Sequence, residues 1–172
     1  CEGLTEISLH GNKKIGYHAF EDCCNLKTID IGSEVFTENG AFFSCTYADK
    51  IVLDGKSYTF SRFAQSRYTV SNPYPERVQE LIGDIYSCFD VSVKSELERY
   101  SGNSKSVKVP EDIVSLGDGA FRNCVRCENI DIPETVSHIG KLTFDKTGWI
   151  GRLREENRIS TVNDMIVDAV NC

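Results

Sequence analysis

Apolar residues recur along this chain in a fixed phrase. A short strand with alternating apolar positions leads through a glycine-bearing gap to Ala-Phe-x-x-Cys. Ile7-Ser8-Leu9 precedes Ala19-Phe20 and Cys23, and Ile29-Asp30-Ile31 precedes Ala41-Phe42 and Cys45. Val107-Lys108-Val109 precedes Ala120-Phe121 and Cys124, and Ile130-Asp131-Ile132 precedes Thr143-Phe144, with Thr147 in the cysteine slot. The period is 22 residues in the first pair and 23 in the second. A period of that length predicts a solenoid, in which each unit buries its apolar face only against its neighbours.

The first block runs from about residue 1 to 55, with units opening at Leu4, Leu26 and Ala48. Successive strand residues point to opposite faces. Ile7, Leu9, Ile29, Ile31, Ile51 and Leu53 are therefore expected inside. The outward positions are the candidate partner-binding residues: Glu6, Ser8 and His10; Thr28 and Asp30; Lys50, Val52 and Asp54. In the second block the same positions are Ser106, Lys108, Asn129 and Asp131.

The rhythm stops at Lys56, and residues 56–103 form an insertion. Pro75 suits a helix entry, where its missing N–H is no loss. Val78, Leu81, Ile82, Ile85 and Phe89 then share one helical face, which predicts a helix over 75–89 packed on the solenoid as an internal cap. Residues 91–100 read as a hairpin that re-enters the repeat at Gly102. The second block spans 104–148, with Pro110 and Pro133 ending its strands. Residues 149–157 read as a short amphipathic helix, with Trp149 sealing the block. Residues 162–167 suit another hairpin, within a tail running to 172. The phenylalanines Phe20, Phe42, Phe121 and Phe144 are expected to form a buried spine.

Composition narrows the function classes. The 172 residues carry 26 acids against 19 bases, for a net charge of −7. That argues against nucleic acid as partner, since such binders usually present a basic face. No apolar run reaches the ~18 residues of a membrane span, so no membrane insertion is expected. The chain opens on Cys1 in mid-repeat and reads as a piece of a longer protein.

Eight cysteines invite a disulfide or metal reading. The register offers a simpler one. Cys23, Cys45 and Cys124 share one core column, where a free thiol acts as a small hydrophobe. They are expected to be buried and unpaired. Cys24, adjacent to Cys23, is expected to be exposed, and Cys1, Cys24, Cys88 and Cys172 have no assigned pairing. Cys124-x-x-Cys127 is explained by register too, because Cys127 takes the first apolar position of the next unit. No second ligand pair at zinc spacing accompanies it. His18 lies near Cys24, but neither an orienting third group nor an oxyanion site is evident. No phosphate-binding glycine motif occurs, so no cofactor and no enzymatic activity are expected.

The string from Ser106 to Cys124, S-V-K-V-P-E-D-I-V-S-L-G-D-G-A-F-R-N-C, closely resembles the BspA-like class of bacterial leucine-rich repeats. The unit from Ile130 to Phe144 and the first block fit the same pattern. Departures are Thr37-Glu38, Thr143 and Thr147. The resemblance implies an α/β repeat solenoid: a leucine-rich-repeat right-handed coil with a parallel sheet, mostly β and turn, here with a short helical insertion. It implies a bacterial cell-surface or secreted protein that binds a protein or glycan partner, including host matrix, and it brings no catalytic residues. The alternative is a structural or accessory spacer within a multidomain extracellular enzyme.

Overall fold

The computed structural model describes residues 1–11, 14–60, 74–155 and 159–169. Cys172 and part of the insertion, residues 61–73, lie outside them. The chain forms two compact units, Cys1–Cys88 and Phe89–Cys172. Both are coils built from short parallel strands and turns.

In the first unit β1 (Glu6–Leu9), β3 (Thr28–Ile31) and β5 (Lys50–Leu53) pair in parallel. Glu6 faces Thr28, which faces Lys50, so the register equals the sequence period. β2 (Lys14–Ile15) and β4 (Phe36–Thr37) form a second parallel ladder on the return side of each coil. Ile29, Ile31 and Ile51 are wholly buried, as alternation requires. After β5 the chain reverses through Asp54-Gly55, both at positive φ (49° and 81°), into β6 (Lys56–Thr59), antiparallel to β5. Two consecutive left-handed residues are what a tight hairpin needs.

α1 (Glu76–Tyr86) follows, shorter than the 75–89 expected. Its Val78, Leu81, Ile82 and Ile85 are buried in the first unit's core. Phe89 instead opens β7 (Phe89–Val91) in the second unit, antiparallel to β8 (Glu96–Tyr100). β8 is more than a hairpin arm. It pairs in parallel with β10 (Ser115–Leu116), which pairs with β12 (His138–Ile139). Glu96–Tyr100 is thus a coil return of its own, with Tyr100 in the phenylalanine slot. β9 (Ser106–Lys108) and β11 (Asn129–Asp131) form this unit's other ladder. α2 (Gly148–Glu155) and the hairpin of β13 (Ile159–Val162) and β14 (Met165–Ala169) complete the described chain.

A row of aromatic rings lines each core. Phe20 and Phe42 stack at 5.3 Å between centroids. In the second unit Phe89, Tyr100 and Phe121 follow at 5.4 Å steps, and Phe144 stacks 6.0 Å beyond Phe121. Trp149 closes the row edge-on to Phe144 at 4.8 Å, as a sealing residue should. Phe20, in the first coil, is only partly buried, because a terminal ring has a neighbour on one side alone.

The turn around each phenylalanine follows one hydrogen-bond rule. Residues two before and two after the ring are left-handed: His18 and Asp22, Gly40 and Ser44, Gly119 and Asn123, Leu142 and Lys146. N–H groups at the odd positions fold back within the coil, as in Cys23 to Phe20 and Cys124 to Phe121. Where another such turn follows, N–H groups on the even positions reach forward to its carbonyls, as Phe20 and Asp22 do to Ala41 and Phe43. Gly119, Phe121 and Asn123 donate to Lys141, Thr143 and Asp145 at 2.9 Å each.

Two expectations about cysteine need correction. Cys24 is buried, with 5% of its surface exposed, not an exposed thiol. It follows left-handed Asp22, and strand alternation does not hold through such a turn. Cys124 is half-buried rather than buried, unlike Cys23 and Cys45. None of the seven described cysteines is in a disulfide. Cys45 donates to the Phe20 carbonyl (2.9 Å), so the column suits a small apolar residue with a weak donor, and Cys127, at the first apolar position of its unit, donates likewise to the Ser104 carbonyl (3.1 Å).

The threonine departures have local causes. Thr143 Oγ1 donates to the Gly117 and Gly140 carbonyls at 3.0 and 2.8 Å. Thr147 Oγ1 accepts the Ile150 N–H at 3.1 Å and so caps α2, where the chain leaves the repeat for a helix.

Candidate partner-binding face

In the first unit the parallel ladder brings the sequence-derived candidates into rows. Glu6, Thr28 and Lys50 form one row; Ser8, Asp30 and Val52 form the next. The antiparallel strand β6 extends both, placing Thr59 beside Lys50 and Ser57 beside Val52. These added positions are signalled by Asp54-Gly55, a strong hairpin dipeptide before alternating residues.

Asp30 is pinned at the centre. Its Oδ2 accepts from the Ser8 hydroxyl at 3.1 Å, and its Oδ1 meets His10 Nε2 at 3.1 Å. Asp54 sits in the β5–β6 turn. The Ser33 backbone N–H (2.8 Å) and hydroxyl hold its carboxyl below the usual range, and His10 adds a weaker pull. The face is therefore an ordered array of mixed charge on a paired backbone, with Glu6 and Lys50 on either side of Thr28 in one row.

In the second unit Ser106 lies opposite Asn129 and Lys108 opposite Asp131. Asn129 Nδ2 donates to Ser106 Oγ at 3.2 Å, while Arg152 of α2 donates to Asn129 Oδ1 at 3.2 Å. Beside them Lys105 pairs with Glu128 at 3.5 Å. Arg152 is a contributor that strand alternation does not reveal, because it comes from a helix one period further on.

Other chemistry does not converge. His18 Nδ1 bonds Glu21 at 2.6 Å, and Cys24 is buried. Among the described residues no three His, Cys, Asp or Glu side chains cluster as metal ligands. No described helix is long and apolar enough to cross a membrane.

Parallel ladders at a 22- or 23-residue register, with a phenylalanine turn on each return, define a leucine-rich-repeat protein. The chain belongs to the BspA type leucine-rich repeat family, whose repeat region it matches in six copies over residues 1–87 and 92–168. The match takes in α1 and β8, which stand outside the Ala-Phe-x-x-Cys phrase. No curated protein and no solved structure matches the chain.

Proposed function

We propose that this chain is a non-enzymatic binding module of a bacterial cell-surface or secreted protein, and that its parallel sheet takes up a protein partner. The observation that carries the reading is the registered face of the first unit. Its Glu6–Thr28–Lys50 and Ser8–Asp30–Val52 rows set charges of both signs at registered positions on a paired ladder. Such a surface gains specificity through charge complementarity. The rows hold no aromatic ring, and stacking rings are the usual platform for a sugar. A protein is therefore favoured over a glycan. The surface location rests on family membership.

The test uses the full chain against immobilised host matrix proteins and, separately, a glycan array. A protein ligand should bind, and Glu6→Lys with Lys50→Glu should weaken it by about tenfold or more, as truncating a complementary charge commonly does. Lys14→Glu, on the return ladder, should leave it unchanged. Glycan binding alone, or equal loss from Lys14→Glu, would overturn the reading.

A further inference from the structure

Each unit ends its run of coils with an open edge, and the two edges are covered differently. In the first unit the forward N–H groups of the last phenylalanine turn are those of Gly40, Phe42 and Ser44. α1 supplies their acceptors. Asp84 takes Gly40 on Oδ1 (2.5 Å) and Phe42 on Oδ2 (2.8 Å), and the Ile85 carbonyl takes Ser44 (3.2 Å). One carboxylate thus replaces the two carbonyls a further coil would present. α1 also covers the acceptor side, where Arg77 donates to the Val35 carbonyl at 2.8 Å.

In the second unit the acceptor side is covered in the same way. Asn163, in the β13–β14 turn, donates to the Val136 carbonyl at 2.8 Å and to that of Pro133 at 2.9 Å. The donor side is not. Among the described residues nothing accepts the forward N–H groups of Leu142, Phe144 or Lys146. A cleft of about 440 Å³ lies against this edge, lined by Leu142, Phe144, Lys141, Ile150, Arg154 and Met165. Asp145 also lines it, but its carboxylate is paired with Arg122 at 3.2 Å. Leu142 stands at the rim, 60% exposed and left-handed (φ 55°), where the other full coils carry His or Gly. A leucine held there is strained, and strain persists where the surroundings fix it.

We propose that this cleft is a carboxylate-binding site, and that it takes an acidic side chain of a protein partner, held on the N–H groups of Leu142 and Phe144 as Asp84 is held on those of Gly40 and Phe42. Backbone N–H groups in alternating right- and left-handed turns form concavities that favour anions. Lys141 at the rim adds a positive charge. The cleft has room for a few side chains and an acidic tip, not for a whole coil. This site is distinct from the sheet face and does not depend on it.

The probe is a synthetic peptide of residues Glu76–Tyr86 with blocked ends, titrated into the isotope-labelled full chain and followed by amide NMR. The Leu142 and Phe144 resonances should shift and saturate. The Asp84→Asn peptide should bind about tenfold or more weakly, since a charge-assisted hydrogen bond is lost. Lys141→Glu in the protein should weaken binding of the unmodified peptide, while Lys108→Ala should not. The proposal is overturned by shifts confined to Gly40 and Phe42, by no shift at Leu142 and Phe144, or by equal binding of the two peptides.

Discussion

Replacing Asp84 by alanine would remove both acceptors of the Gly40 and Phe42 N–H groups while leaving the apolar face of α1 intact. Each of those bonds is short and charge-assisted, at 2.5 and 2.8 Å, and the carboxylate is half-buried. Hydrogen bonds to charged groups contribute about 1.5–3 kcal/mol each. Water can replace part of that at a half-buried position, so the pair together should give about 2–4 kcal/mol. That is a shift of about thirty-fold to several hundred-fold in the opening equilibrium of the first unit. Asp84→Asn keeps one acceptor oxygen and should fall in between. Glu80→Ala, which loses only an exposed ion pair with Arg77, should cost no more than about 0.5 kcal/mol. The assay is denaturant-dependent labelling of Cys45, a fully buried free thiol in the same core. Equal labelling midpoints for Asp84→Ala and Glu80→Ala would refute the claim that this carboxylate stands in for a missing coil.

Phe121→Ala should cost about 3–5 kcal/mol by leaving a cavity between Tyr100 and Phe144, whereas Lys108→Ala should stay within about 0.5 kcal/mol; calorimetry distinguishes them. Under native conditions Cys1 should alkylate quickly and Cys24 only once denaturant opens the turn, a contrast read by mass mapping. Glu38, held below the ordinary range by Lys14 and by the Tyr17 N–H, should titrate at a higher pH in Lys14→Ala. Because its folded value is depressed, its contribution is present above the ordinary glutamate range and lost as pH falls through the lowered value.

The coil was legible from residues alone because a repeat restates its own rule. Ile29, Phe42 and Cys45 identify the inner column once Ile7, Phe20 and Cys23 have been placed. The outward rows followed from strand alternation. What escaped was carried by residues that keep a role while changing identity. Tyr100 fills a phenylalanine slot without the preceding alanine, so β8 read as a plain hairpin. Asp84 and Asn163 cover open edges, and no periodicity marks a helix or turn residue that bonds backbone forty-two or twenty-seven positions away. Cys24 was misplaced because strand logic was applied to a turn. Thr147 looked like a defect in the column, yet as a helix cap it marks where the column stops.

The forward hydrogen-bond rule is the centre of this account, and native-state hydrogen exchange at the phenylalanine slots tests it most directly. The amides of Phe20, Tyr100 and Phe121 donate to the next coil, and that of Phe42 donates to Asp84. All four should exchange slowly. The amide of Phe144, at the uncovered edge, should exchange much faster despite its buried ring. Protection of Phe144 equal to that of Phe121, or fast exchange at Phe42, would contradict the account.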